Sequence, residues 1–292
     1  MSVPSIGARA TATTAIAAAS QKTGIDFNYL LGQAQVESGM RSNARARTSS
    51  ATGLYQFIEQ SWLGVVKEHG DKHGLGWASD SIKRTSSGRF VVPDAATRNA
   101  ILSMRNDPQA ASLMAAEHAS DNKASLESSL GREATGTDLY MAHFLGIGGA
   151  RKFLGAMDAN PERGAASMFP AAARANRSIF YTPGGQQRSL GEIYDRFAGK
   201  LDKGAAAVGA TGLASGGVGS GAGDAKFQQL VQSLGDGVEV VLGNDAVGQD
   251  RKWLTTLDQM NTAGRSNEGV NPLRPTPQSA KLAYMMLASL GA

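Results

Sequence analysis

The sequence contains no cysteine, which excludes disulfide bonds, thiolate metal ligands, a cysteine nucleophile and a lipid-modified cysteine. It also has no apolar stretch close to the ~20 residues that a membrane-spanning helix requires. Aromatic residues make up only 6% of the chain, and no stripe of lysine and arginine alternates with them. We therefore expect no transmembrane segment and no binding of nucleic acid.

What is present is the composition of a globular protein. Hydrophobic residues make up 41% of the 292 positions and charged residues 18%, so the chain can build a core. The net charge of +4 is mildly basic. Such a surface suits an anionic cell wall, a membrane face or nucleic acid, and the charge alone does not choose between them.

The clearest change of composition along the chain lies at residues 204–223. This segment has no charged residue and no proline, and 8 of its 20 residues are glycine, which predicts a flexible linker. The linker would separate a body at residues 26–203 from a small C-terminal module at 224–292. Residues 1–25 are interpreted as a loose or amphipathic leader or a first helix; a cryptic export signal is the alternative.

The body shows mostly helical periodicity. Asp26 is a suitable N-cap for a helix over 27–38, and Gly39 should end it. Pro93 is placed to begin another helix, and residues 89–92 look like one strand of a hairpin. Further helices are predicted at 56–67, 109–122, 137–145, 148–157, 161–174 and 190–201. The fold class is therefore all-α.

The C-terminal module is predicted to be mostly helical. Helices are expected at residues 249–260 and 278–290, and the apolar run 238–242 is either a strand or a buried helical turn. The apolar face of the last helix either binds a partner or packs against 249–260. This face consists of Leu282, Met285, Met286 and Leu290.

One helix carries a carboxylate on its apolar face. Leu30, Ala34 and Glu37 follow one another at helical spacing and therefore share a side of the helix 27–38. Burial and the negative end of the helix dipole both disfavour a charged carboxylate at this position. A carboxyl group that retains its proton is what a general acid requires, so Glu37 is the catalytic candidate. The alternative is a structural glutamate at a helix end.

A second motif follows sixteen positions after Glu37, at Gly53 (53 − 37). Glu37-Ser38, a basic polar loop and then Gly53-Leu54-Tyr55-Gln56-Phe57 resemble motifs one and two of the soluble lytic transglycosylase family, which is related to goose-type lysozyme. The family pattern has Met where this chain has Tyr55. The resemblance covers about residues 26–197.

The resemblance implies a lysozyme-like fold and cleavage of the β-1,4 bond between N-acetylmuramic acid and N-acetylglucosamine in peptidoglycan. It implies that Glu37 protonates the departing oxygen and then takes the proton of the C6 hydroxyl, which leaves a 1,6-anhydromuramoyl end. No cofactor is implied. One carboxyl group serves both steps, so the second carboxylate of ordinary glycosidases is not needed.

The same resemblance assigns roles around Glu37. Ser38 would position Glu37 or the substrate, and Gln56 would hydrogen-bond the substrate. Gly53 would form the tight turn that opens a helix facing Glu37. Tyr55 would either stack on a sugar ring or pack in the core.

The third and fourth motifs depart from the family pattern. In residues 140–150, His143 replaces the family's tyrosine and Phe144 its asparagine, whereas Ala142 and Gly146 are retained. His143 is either a contact in the glycan cleft or a structural histidine bonded to backbone. Tyr181 is expected to supply the tyrosine of the fourth motif; Tyr194 is the rival.

The remaining polar residues give weaker indications of function. His69, Asp71 and His73 are close in sequence, but without a further ligand they are not expected to bind a metal. Glu68 is interpreted as solvated. Glu117 is either a buried partner or, more commonly for such a residue, a carboxylate on a helix surface.

These features predict a lytic transglycosylase that opens the cell wall locally. The alternatives are a hydrolytic muramidase of the same fold and a non-catalytic wall-binding or secretion-apparatus scaffold. We expect peptidoglycan glycan strands as the partner, with the C-terminal module a candidate tether to a secretion, flagellar or phage assembly. The expected location is the periplasm or cell envelope, reached by a non-classical route, or a virion.

Overall fold

The computed structural model describes residues 6–47, 49–216 and 225–234. Its helices are α1 (Ile6–Thr23), α2 (Phe27–Ser38), α3 (Glu59–His69), α4 (Gly76–Ser81), α5 (Ala95–Ser103), α6 (Pro108–Leu130), α7 (Gly136–Ala159), α8 (Ala165–Met168), α9 (Pro170–Ala175), α10 (Arg177–Phe180), α11 (Leu190–Ala207) and α12 (Ala225–Leu234). Short 3-10 helices lie at Gly70–His73 and Met104–Asn106. The predicted all-α class is confirmed.

The small hairpin expected near residues 89–92 is present. Strands β1 (Lys83–Arg84) and β2 (Phe90–Val91) pair antiparallel, with Lys83 opposite Val91 and Arg84 opposite Phe90. Gly88 has a φ of 80° in the connecting turn, a conformation that glycine adopts without strain.

Helix α2 forms the centre of the fold and has the predicted bounds. The Asp26 side chain accepts a hydrogen bond from the Tyr29 amide, and Gly39 ends the helix at a φ of 63°. Ten of its twelve residues are buried, so neighbours surround it on nearly every side. Helix α11 packs very closely: a β-carbon at Gly32 would lie 2.8 Å from the Leu201 carbonyl oxygen.

Helix α1 belongs to the core and is not a loose leader. Ile16 and Ala17 are completely buried, and the helix packs mainly along α6. The small alanine side chains of α1 allow this close packing, which short-range sequence patterns did not reveal.

Helix α7 joins two predicted helices. The expected segments 137–145 and 148–157 form one element with a kink at Gly146, where φ is 72° and ψ is 160°. Its start is fixed by a capping box between Thr135 and Asp138.

Three predicted boundaries were wrong for local reasons. Helix α3 begins at Glu59 and not at residue 56, because Gln56 adopts a positive φ of 49° in the preceding turn. Helix α6 continues to Leu130, where Gly131 caps it in the left-handed conformation. The predicted helix 161–174 is divided into α8 and α9 at Pro170, because proline has no amide hydrogen with which to continue the helical hydrogen bonds.

The first part of the predicted linker is packed against the body. Residues 204–207 complete α11, and Ala214 is buried with 1% exposure. The Gly136 amide donates to the Gly216 carbonyl over 2.7 Å, and the Ser215 amide donates to Asp202 over 2.8 Å. Residues 204–216 are therefore not a flexible linker. Residues 217–223 lie outside the described residues.

Of the C-terminal module, only α12 is described. Its Phe227 packs against Phe27 at the start of α2, with ring centroids 5.4 Å apart. The elements predicted at 238–242, 249–260 and 278–290 lie outside the described residues, as does the apolar face of the last of them. In the described part of the chain, no helix combines the length and apolarity needed to cross a bilayer.

Candidate active site

Glu37 lies in the last turn of α2 with only 2% of its side chain exposed. Its Oε1 accepts a hydrogen bond of 3.1 Å from the Tyr140 hydroxyl and lies 3.2 Å from His143 Nε2. Its Oε2 is buried and has no hydrogen-bond partner among the described residues. One oxygen is thus held by α7, whereas the other is buried with its hydrogen-bonding capacity unused among the described residues.

Helix α7 presents both partners of Glu37 from one face. Tyr140 and His143 are three residues apart, and their rings stack at a centroid distance of 5.8 Å. Phe197 of α11 meets the Tyr140 ring at 5.4 Å, which fixes the pair from the other side. The orientation of Glu37 therefore depends on packing between α2, α7 and α11.

The charge of Glu37 shifts the titration of both partners. Burial would lower the pKa of His143, but the charge of Glu37 and the contact with its Oε1 outweigh burial and raise that pKa above its usual value. Burial, reinforced by the charge and hydrogen bond of Glu37, raises the pKa of Tyr140 well above 10.0. Tyr140 therefore remains a hydrogen-bond donor, and the contact with Glu37 favours the protonated form of His143.

Lys200 of α11 is a cationic side chain that interacts electrostatically with Glu37. Its Nζ is buried and lacks a hydrogen-bond partner within the described ranges. Burial lowers the pKa of Lys200 to about 8, with the charge of Glu37 opposing the shift and that of Arg196 adding to it. Lys200 and Glu37 thus contribute opposite charges to one poorly hydrated region.

A narrow cleft with a free interior of about 10 Å³, which holds roughly one water molecule, adjoins His143. His143 lines this cleft and also touches Glu37, and 25% of its side chain is exposed. The carboxylate of Glu37 thus lies one side chain behind the cleft. The cleft is lined by Tyr29, Gln33, Tyr55, Phe57, Ala115, His118, Ala119, Asn122 and His143.

Two polar groups give the cleft its hydrogen-bonding character. Gln33 has a buried Oε1 without a partner in the part of the chain that is described. Burial, together with the charge of His143 and against that of Asp121, lowers the pKa of His118 to about 4. His118 is therefore neutral near pH 7 and can both donate and accept a hydrogen bond.

The side chain of Ser38 forms hydrogen bonds with backbone groups at the end of α2. Its hydroxyl donates to the Ala34 carbonyl over 3.0 Å and accepts from the Arg41 amide over 3.1 Å. These bonds secure the end of the helix that carries Glu37. A direct contact of Ser38 with substrate stays a prediction.

The Gly53–Gln56 turn packs against the protein rather than opening α3. Gly53 has a φ of 85°, and a β-carbon there would lie 1.8 Å from the Arg105 carbonyl oxygen, so only glycine fits. Gln56 donates from Nε2 to the carbonyls of Ala44 and Gly53 over 3.1 and 2.8 Å. These bonds hold the loop together, and the role of Gln56 as a substrate ligand stays a prediction.

Tyr55 does reach the cleft. It is 1% exposed, and its hydroxyl donates to the Leu30 carbonyl of α2 over 3.3 Å. Burial raises its pKa far above 10.0. The core alternative for Tyr55 is confirmed, and its stacking on a sugar ring stays a prediction.

Neither aromatic proposed for the fourth motif lines the cleft. Tyr181 follows α10, with the Arg177 guanidinium 4.8 Å from its ring centroid. The Tyr194 hydroxyl bonds Thr135 at 2.7 Å and Asp138 at 3.0 Å, at the start of α7. The tyrosine that contacts Glu37 is Tyr140, three residues before position 143, where the resemblance places the tyrosine of the third motif.

The other side chains that sequence reasoning missed are Gln33, His118 and Lys200. Gln33 lies four residues before Glu37, so the helical spacing was a usable signal for it. His118 and Lys200 come from α6 and α11, far away in sequence, and no local pattern indicates them.

A comparison of the chain with known protein families finds no family model that matches it.

The geometry supports acid–base chemistry at one carboxyl group. A buried glutamate with one oxygen fixed and the other without a partner can exchange a proton with a group brought to the second oxygen. The partners are a tyrosine and a histidine, and a buried lysine lies in the same charged region. No second carboxylate contacts Glu37 among the described residues.

Proposed function

We propose that this protein is a peptidoglycan lytic transglycosylase with a lysozyme-like body and Glu37 as its single acid/base. The observation that carries the proposal is the asymmetry of the Glu37 carboxylate. Tyr140 and His143 hold Oε1, whereas the buried Oε2 has no partner in the described structure. An oxygen in this state is suited to exchange a proton with a bound substrate.

In the proposed reaction Glu37 first gives a proton to the glycosidic oxygen between N-acetylmuramic acid and N-acetylglucosamine. The bond from this oxygen to the anomeric carbon breaks. Glu37, now a carboxylate, accepts the proton of the muramic acid C6 hydroxyl as that oxygen attacks the anomeric carbon. One C–O bond is broken and one is formed, the proton that Glu37 gave is replaced by that of the C6 hydroxyl, and no water is consumed.

The surrounding side chains support this sequence of steps. Tyr140 and His143 keep the carboxyl group oriented through Oε1, so little reorganisation is needed at the moment of proton transfer. The partly exposed His143 and the unpartnered Oε1 of Gln33 line the cleft and are the proposed contacts for sugar hydroxyl or acetamido groups.

A second candidate function is a non-catalytic wall-binding scaffold, in which the pair Glu37–His143 is structural. The observation that favours it is the 2% exposure of the Glu37 side chain. In the catalytic alternative, a glycan reaches the buried Oε2 while Tyr140 and His143 keep their contacts with Oε1. In the scaffold alternative Oε2 stays buried.

The deciding experiment is digestion of purified sacculi by the full chain, followed by mass spectrometry of the released fragments. The proposal predicts muropeptides lighter by one water than hydrolytic products. Hydrolysed ends would instead identify a muramidase. Sedimentation of the intact protein with sacculi, with no release of fragments, would establish the scaffold. Glu37→Gln serves as the control for contaminating lysozyme activity.

A further inference from the structure

A group of metal-ligating side chains lies outside the cleft, where the end of α3 meets α6. His69 Nε2 is 2.7 Å from Asp121 Oδ2, and Glu68 lies beside them. One potential ligand atom from each of these three residues lies within 4.8 Å of the other two. Asp121 is 52 residues from His69 in sequence, which is why the sequence showed no further ligand.

The far nitrogen of His69, Nδ1, hydrogen-bonds Lys72 and lies close to a buried carboxylate. Glu117 Oε2 lies 3.1 Å from His69 Nδ1, and Glu117 Oε1 lies 2.6 Å from His73 Nε2. The side chains of Glu117 and His73 are 12% and 9% exposed, so this arrangement is mostly buried. A carboxylate that accepts from one imidazole nitrogen and directs the other outward is the usual support of a metal-binding histidine.

We propose that Glu68, His69 and Asp121 bind a divalent transition-metal ion of the zinc type, with Glu117 as the positioning residue for His69. Imidazole together with two carboxylates suits zinc and its neighbours, whereas magnesium and calcium prefer oxygen ligands alone. Three protein ligands leave one position of a tetrahedral ion for water. The inference does not depend on the function proposed for Glu37.

Among the described residues, Lys72 competes with Glu117 for the Nδ1 atom of His69. Its Nζ lies 3.1 Å from His69 Nδ1 and 3.8 Å from Glu117 Oε2. Because 61% of the Lys72 side chain is exposed, it can move into water with little cost in solvation. When His69 Nε2 binds the ion, Nδ1 carries the hydrogen and donates it to Glu117.

A bound ion would connect α3 to α6 directly. Glu68 and His69 lie at the end of α3, and Asp121 lies on α6 one residue before Asn122, which lines the cleft. The ion would thus replace the present contact between His69 and Asp121 by stronger bonds to both helices. It would stabilise one wall of the cleft without touching Glu37.

The test is a titration of the full chain, freed of metal with a chelator, using zinc chloride in a calorimeter. Cobalt(II) absorption in the visible range reports coordination geometry. We expect one zinc ion per chain, weaker binding of magnesium, and a tetrahedral cobalt spectrum. Asp121→Asn and His69→Gln should each weaken zinc binding at least about tenfold, and Glu117→Gln by roughly 10–100-fold.

Asp71→Asn is the matched control, because this exposed acid lies in the same stretch of chain but outside the three ligands. It should leave zinc binding unchanged. Absence of saturable binding at one ion per chain would overturn the proposal, as would zinc binding that Asp121→Asn and His69→Gln leave unaltered. Asp121 is 46% exposed on its side chain, so this variant should fold even where His69→Gln does not.

Discussion

Two buried glutamates of this protein each contact a histidine, but their carboxylates differ in how many of the two oxygens have a partner. The side chain of Glu37 is 2% exposed and that of Glu117 is 12% exposed. Both oxygens of Glu117 have an imidazole nitrogen close by: Oε1 hydrogen-bonds His73 Nε2 at 2.6 Å, and Oε2 lies 3.1 Å from His69 Nδ1. Glu37 has Oε1 engaged, and its Oε2 has no hydrogen-bond partner among the residues described.

Under the proposed function, the difference distinguishes a structural carboxylate from a reactive one. A fully paired buried carboxylate stabilises the packing of its helices, because every acceptor that lost water has gained a donor. A buried oxygen without a partner costs stability and is rarely retained without a reason. The two environments therefore predict opposite results when each glutamate is changed to glutamine.

The largest expected effect is that of Glu37→Gln on activity. The amide keeps the shape of the side chain but has no proton to transfer, so solubilisation of sacculi should fall by roughly 10²–10⁴-fold. Turbidity of a sacculus suspension measures the rate. Glu162→Gln, the same change at an exposed position, is the matched control. Near-normal lysis by Glu37→Gln would end the catalytic assignment.

The second effect concerns stability, where the larger loss is expected for the Glu117 variant and the smaller loss for the Glu37 variant. Glu117→Gln replaces a carboxylate that pairs with two histidines, so we expect a loss of roughly 1–3 kcal/mol in the free energy of unfolding. Glu37→Gln should cost less, because one of its oxygens already lacks a partner. Urea denaturation of metal-free protein compares them, and a greater loss in Glu37→Gln would show that Glu37 is the structural residue.

A smaller effect is expected for His143→Ala. Loss of one contact to Oε1 should lower activity about tenfold, which corresponds to about 1.4 kcal/mol, and leave the melting temperature within a few degrees. A structural histidine would give the opposite result: a clear fall in melting temperature with normal activity per folded molecule. Measuring both quantities on one variant decides between them.

The same variant has a predicted dependence on pH. The folded-state pKa of His143 is raised, so the stability from its charged pair with Glu37 is fully present below the unfolded pKa of about 6.5. This stability is lost as pH rises through the higher, folded-state pKa. The melting temperatures of wild type and His143→Ala should therefore differ more near pH 6 than near pH 9. An equal difference at both values would show that the pair carries no charge-dependent stability.

The smallest effect is that of Tyr140→Phe. The variant keeps the ring that packs on Phe197 but removes the hydroxyl that donates to Glu37, while the contact of His143 with Oε1 remains. We expect about a threefold loss of activity, as for one hydrogen bond of modest net value. Tyr194→Phe is the control, because its hydroxyl bonds Thr135 and Asp138 instead. An equal loss in both variants would point to a general effect on α7.

The features predicted best from the sequence are those fixed by short-range interactions. Asp26 and Gly39 gave the bounds of α2, and the turn at Gly88 marked the hairpin, because capping and turn formation involve residues only a few positions apart. The presence of Glu37 on an apolar face also followed from helical spacing. The bounds of α3 were less accurate, since the left-handed conformation of Gln56 depends on its bonds to Ala44 and Gly53.

The interactions around Glu37 depended on contacts between distant elements. Tyr140 lies 103 residues after Glu37, and Lys200 comes from α11, so no local spacing relates them. The same holds for Glu117: its burial results from the approach of His69 and His73, 48 and 44 positions away (117 − 69 and 117 − 73). The spacing of residues along a single sequence carries no signal for such pairs.

By itself, the sequence determined the helical class, the exact extent of α2 and the position of one carboxylate at its end, because these follow from periodicity and capping. Only the tertiary structure decided that residues 204–216 belong to the body. A β-carbon at Gly136 would lie 1.9 Å from the Ala214 carbonyl oxygen, so small residues here permit a close approach of two backbone segments. A segment rich in glycine and alanine has the same composition whether it is a flexible linker or a close backbone contact. Which of the two it forms depends on the residues that it packs against, and the fold decides these.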